Sequence, residues 1–158
     1  MLYQSTRGNN ERVSAAEAIK TGMVPKGGLF VPEKVPGLLV EEVLNLSYAQ
    51  TAEKVFELFL SDFTKEEIKE ITSKVYNKEI FGRDEVAPLV EIKDKLAILE
   101  LWHGPTAAFK DMALQMLPYL MKKSLEKLGY DKELLILAAT SGDTGKAALD
   151  GFTDVEGI

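Results

Sequence analysis

The segment "LAILELWHGPTAAFKDMALQMLPYLMKKSLEKLGYDKELLILAATSGDTGKAAL", residues 96–149, decides the fold. Its opening run "LAILELW" (96–102) predicts a strand apolar enough to be buried. A helical period then predicts one long helix from about 107 to 128, ended by Gly129 and kinked at Pro118. "ELLILAA" (133–139) is a short continuous apolar run of the kind a buried parallel strand shows. The turn "TSGDTG" (140–145) leads into a further helix at "KAALDGF" (146–152). Strand, helix, strand, helix is a βαβ unit with one more helix, and its crossover is expected to be right-handed. The fold class predicted is therefore α/β, the start of a doubly wound, mostly parallel sheet.

Working outward, "PLVEI" (88–92) reads as another strand, and residues 86–158 as the first βαβα portion of a larger domain. Residues 1–85 read as a mainly helical N-terminal region. Within it "SAAEAIKTG" (14–22) predicts a short helix, with Ser14 and Glu17 as a capping box and Gly22 as its stop. "GLFVP" (28–32) predicts a brief strand. Tyr48, Ala52, Val55, Phe56 and Phe59 follow a helical period behind a Ser47–Gln50 capping box, and a second helix opens at "TKEE" (64–67). These helices read as packing elements without chemistry. Two or three parallel strands are few for a sheet covered on both faces. The chain is accordingly expected to be a truncated N-terminal part of a longer protein, a fragment whose open sheet edges invite association.

Composition excludes several classes. Of 158 residues, 46% are hydrophobic and 28% charged, as in ordinary globular domains. A net charge of −6 argues against nucleic acid or an acidic membrane surface as partner, since both require a basic face. Without cysteine, and with one histidine, neither a disulfide framework nor a thiolate or histidine metal site is expected. No apolar run reaches transmembrane length, and "MLYQSTRGNNER" (1–12) lacks a signal-peptide core, so a cytoplasmic location is expected.

Chemistry enters at Lys110. Advancing the long helix by about 100° per residue gathers Phe109, Ala113, Leu114, Leu117 and Leu128 on one arc, with Asp111, Gln115 and Lys122 opposite. Lys110 falls near the centre of the apolar arc. Either its methylenes lie on the core while the ammonium reaches water, or the amine is held desolvated as a nucleophile toward an aldehyde. Placement leaves both open. The "LLILAATSGDTGKAAL" stretch (134–149) adds an apolar strand, a glycine-bearing turn and a helix N-terminus, a construction that suits phosphate or carboxylate. It is not a Walker A loop, because only two residues separate Gly142 from Gly145 and Ala147 stands where Ser or Thr is required. As bare pattern it serves equally as a structural turn. Both motifs should open on the carboxyl edge of the sheet, where α/β folds place ligands. His103 stands in the turn before Lys110 and is a candidate contact to substrate or cofactor. Thr106 reads as the helix N-cap, Phe109 as a packing residue, and Asp111 as solvent-facing or capping.

"HGPTAAFKD" (103–111), followed some thirty residues later by "ATSGDTG" (139–145), resembles the threonine synthases, as do "YQSTRG" (3–8) and "KGGLFVPEKVP" (26–36). The resemblance runs along essentially the whole chain. It implies the tryptophan-synthase-like fold of pyridoxal 5'-phosphate (PLP) enzymes, and conversion of O-phospho-L-homoserine and water to L-threonine and phosphate. Lys110 would hold PLP as a Schiff base and shuttle protons. Ser141, Gly142, Asp143, Thr144 and Gly145 would clasp the substrate carboxylate, with Asp143 near the cofactor's ring oxygen. Arg7 would meet a phosphate. The cofactor-phosphate loop and the ring-nitrogen partner would lie beyond Ile158, so the fragment alone is expected to be inactive. A threonine dehydratase or cysteine synthase, or a non-catalytic binding module of the same fold, are the alternatives.

Overall fold

The computed structural model describes all residues, Met1–Ile158. β1 (Tyr3–Ser5) pairs antiparallel with β2 (Phe30–Pro32), placing Gln4 opposite Val31. Between them lies α1 (Ala15–Thr21), where Ser14 Oγ accepts the Glu17 N–H at 3.1 Å. The Glu17 carboxylate turns to Lys20 and Thr21 at 3.3 Å each, so only half of the expected capping box forms. Both halves form on α2 (Tyr48–Phe59), through Ser47 and Gln50, and on α3 (Lys65–Val75), through Thr64 and Glu67. A single-turn α4 (Lys78–Phe81) follows, capped by Asn77.

The core explains why the N-terminal helices are there. Ile68, Ile71 and Val75 of α3, with Phe81 and Val86, meet Ala15 and Ala16 of α1 and, from further along the chain, Met116 and Leu120. The buried apolar cluster thus crosses residue 85 and joins the helical region to α6 (Leu117–Lys127), which lies along α1.

Three elements depart from the expectations. The long helix is two, α5 (Asp111–Leu114) and α6, separated at Gln115 and Met116. Pro118 sits in the first turn of α6, where its missing N–H leaves no bond unmade, so it opens a helix rather than kinking one. Residues 104–110 form turns, not helix. The strands β3 (Leu89–Lys93) and β4 (Leu96–Leu99) form an antiparallel hairpin with Leu89 opposite Leu99, and every residue of both is exposed. The expected burial of 96–102 is absent because nothing in these 158 residues covers the hairpin. Residues 133–139 run without a strand partner, largely exposed, tied by the Leu134 N–H to the Gly157 carbonyl at 3.0 Å. A parallel strand exists only beside a neighbour in register, and both sheets here are two-stranded and antiparallel. No helix is long and apolar enough to cross a membrane.

The final helix, α7 (Asp143–Phe152), follows the expected turn and packs on α5. Their approach is set by Gly151: a Cβ there would overlap the Leu114 carbonyl oxygen. Gly151→Ala is therefore expected to force α7 off α5 and cost about 1–3 kcal/mol, read as a lowered midpoint in thermal unfolding.

Candidate functional site

Lys110 immediately precedes α5, in right-handed helical backbone conformation. It is half-buried rather than set inside a buried helical stripe, a correction that follows from the later helix start. Its Nζ makes no ion pair and stands 4.1 Å from the centroid of the Phe109 ring. Phe109, expected to pack, is 61% exposed.

The turn before Lys110 is cinched by its other neighbour. Asp111 is fully buried, and its carboxylate accepts the Thr106 N–H at 2.9 Å and the Thr106 hydroxyl at 2.6 Å. So Asp111 does not face solvent, and Thr106 is a donor to it rather than the helix N-cap. Gly104 lies against the same carboxylate, with no space for a Cβ. Ala107 is held at φ 56°, a left-handed conformation that a non-glycine residue keeps only when its surroundings demand it. The sequence folds this way because a buried carboxylate must find donors, and the turn supplies two.

The second motif is built around Thr140. Its Oγ1 accepts the N–H groups of Gly142 at 3.0 Å and Gly145 at 3.2 Å, curling the turn onto the start of α7. No side chain caps α7. The first-turn N–H groups of Asp143 and Thr144 have no acceptor within the helix, and the dipole of α7 adds positive potential there. The arrangement suits a carboxylate or phosphate. Lys146 in the same turn donates from Nζ to the Thr106 carbonyl at 2.8 Å, tying the glycine turn to the lysine turn.

The two motifs share one pocket of about 630 Å³, lined by Lys110 and Thr144 with Leu99, Leu101, Met112 and Tyr48 among others. Lys110, Thr144 and Tyr48 are its only polar side chains. Gly142 and Gly145 border the adjoining hollow with Lys146, while Ser141 and Asp143 are exposed at the turn. The other candidates are elsewhere. His103 lies outside the pocket wall, its Nε2 2.6 Å from a Glu100 carboxylate oxygen and 3.2 Å from Arg83, which itself pairs with Glu100 at 3.6 Å. A single Nε2 either donates to Glu100 or accepts from Arg83 and cannot do both; the contact to Glu100 is the shorter. Arg7 is exposed on the N-terminal hairpin against Gly27 and Gly28.

Sequence reasoning missed Tyr48, Lys146 and the buried role of Asp111. Asp111 carried a signal, a carboxylate five residues after the threonine that follows Gly104 and Pro105. Tyr48 carried none, since its helical period is that of any packing residue.

A family profile described as "Threonine synthase N terminus" matches residues 2–76. Threonine synthase of Pseudomonas aeruginosa is 39% identical over 155 residues, covering 96% of this chain and 32% of the relative. Among solved structures, the PLP-bound threonine synthase of Brucella melitensis superposes with a TM-score of 0.90 at 34% identity, covering 99% of this chain and 34% of that one. The yeast threonine synthase gives 0.88, also at 34% identity, over 98% of this chain and 33% of its own. The chain thus spans about a third of the length of the relatives it matches. At these identities likeness in sequence and likeness in fold coincide along the whole chain, and the α/β class is that of the matched structures. With the lysine turn and the glycine turn on a common pocket, the chain is similar along its whole length to the N-terminal third of the threonine synthases.

Proposed function

We propose that this chain contributes the lysine and the carboxylate-binding turn of a cytoplasmic, PLP-dependent carbon–oxygen lyase acting on a phosphate ester, O-phospho-L-homoserine, to give L-threonine and phosphate. One observation carries the reading: Lys110 and Thr144 line a single pocket whose wall, Tyr48 apart, is otherwise apolar. The residues present fit PLP. Lys110 places an amine without an acidic partner where it could meet the aldehyde, and the apolar wall suits a pyridine ring.

Lys110 would hold the cofactor covalently through Nζ and would take and return protons at the substrate carbons. The free N–H groups at the start of α7 orient the substrate by its α-carboxylate. The Thr106–Asp111 hydrogen bonds hold the Lys110 backbone still, and the Lys146 bond keeps the turns in register. Leu99, Leu101 and Met112 give the pocket an apolar wall on one side. When bound, PLP supplies the electron sink that makes carbanion chemistry accessible.

Residues 1–158 alone are expected to be inactive, because the pocket is open and mostly exposed. Assayed at the length of its relatives, the protein should release phosphate from O-phospho-L-homoserine with an equal amount of L-threonine. Deamination of L-threonine, or sulfide-dependent chemistry, without that release would overturn the assignment in favour of a dehydratase or a cysteine synthase.

A further inference from the structure

Tyr48 opens α2, far along the chain from either motif, yet it lines the Lys110 pocket. The capping box of Ser47 and Gln50, with bonds of 2.9 and 3.3 Å, fixes the first turn that carries it. Its ring meets that of Tyr76 edge to face, centroids 4.9 Å apart at 71°. Tyr76 is in turn anchored by its hydroxyl to the Met112 carbonyl at 2.8 Å, in the helix that follows Lys110. The phenol of Tyr48 is thus positioned from two sides and referenced to the Lys110 helix.

What it is positioned for follows from its free end. Tyr3 and Tyr76 give their hydroxyls to backbone carbonyls at 3.1 and 2.8 Å; those of Tyr48, Tyr119 and Tyr130 have no protein acceptor, and of these only Tyr48, 37% exposed, lines the Lys110 pocket. Burial pushes the Tyr48 phenol above its ordinary value of 10.0, so it stays protonated at physiological pH and can donate. Lys110 and Thr144 are the other polar side chains of the pocket, and the functional reading above commits them to an aldehyde and a carboxylate. The remaining anion of either ligand is a phosphate monoester, which PLP and O-phospho-L-homoserine both carry.

We infer that Tyr48 is a phosphate-binding residue of this pocket, its O–H donating to a phosphate-monoester oxygen. This rests on the functional reading above. A hydrogen bond to a charged group is worth about 1.5–3 kcal/mol, which is roughly a 10- to 150-fold change in affinity.

The test uses the chain as it is, by borohydride trapping of the Lys110 adduct and peptide mapping, in wild type and Tyr48→Phe. Phenylalanine keeps the ring against Tyr76 and removes only the hydroxyl. Labelling is compared for PLP and pyridoxal, and protection of Lys110 from labelling is compared for O-phospho-L-homoserine and L-homoserine. In Tyr48→Phe the preference for the phosphorylated member of one pair is expected to fall about 10-fold or more. The pair affected shows whether the cofactor or the substrate phosphate is the one bound. Pyridoxal labelling should change less than about twofold. Unchanged preferences in both pairs would overturn the inference. So would an equal loss for phosphorylated and unphosphorylated ligands, which would give Tyr48 a packing role. Scattered labelling of the wild type both here and at the length of its relatives would instead sink the functional reading, and this inference with it.

Discussion

Wild type is expected to give one dominant borohydride-trapped pyridoxyl adduct, at Lys110, and Lys110→Ala to leave only low labelling spread over surface lysines. The selectivity comes from surroundings rather than from the amine itself. Ion pairs occupy six of the sixteen lysines, and nine others are as unpaired as Lys110; what sets Lys110 apart is the apolar pocket it faces, which can accept the pyridine ring. Lys110→Arg should behave like alanine, because a guanidinium stays protonated and does not add to an aldehyde. At the relatives' length, loss of a positioned proton-transfer group should cost about 10²–10⁴-fold in kcat, beyond the loss of the covalent anchor. Persistence of a single dominant adduct on another lysine in both wild type and variant would assign the role elsewhere.

The second large effect is one of stability. Asp111→Ala removes the acceptor of two buried hydrogen bonds, strands the Thr106 N–H and hydroxyl, and opens a void beside Gly104. Unsatisfied buried donors cost about 1–3 kcal/mol each, so for the two donors a destabilisation of roughly 2–6 kcal/mol is expected. For a chain of this size the melting temperature should fall on the order of 10 °C. Asp111→Asn should recover part of the loss, since its amide oxygen serves one of the two donors but its NH₂ cannot serve the other. Scanning calorimetry checks the order wild type, Asn, Ala. The same variants should blur the labelling selectivity of Lys110, because the turn that fixes its backbone is the one released. A melting temperature unchanged in Asp111→Ala would show that the turn is held by other means.

The sequence was informative wherever a residue's behaviour depends on near neighbours. Ser47 with Gln50 and Thr64 with Glu67 form their capping boxes because both partners lie within one turn. "TSGDTG" makes its turn and opens α7 because the Thr140 hydroxyl reaches its own loop. The spacing of "HGPTAAFKD" and "ATSGDTG" carried the family, and with it the expectation that Lys110 and the glycine turn serve one site.

Tertiary structure decided what neighbours along the chain cannot. An apolar run such as 133–139 states that it prefers burial, not whether a partner strand is present, and among these residues it pairs with none. The periodicity around Lys110 was compatible with a continuous helix. The break came from the buried Asp111 carboxylate, which takes its donors from the preceding turn, and from Pro118, which starts a new helix. His103, adjacent to Lys110 in sequence, is drawn to Glu100 and Arg83. Tyr48, sixty residues away, is brought to the pocket by the aromatic contact with Tyr76. Short-range hydrogen bonds are written in the order of residues. Which distant surfaces meet is set by the packing of one core across the whole chain.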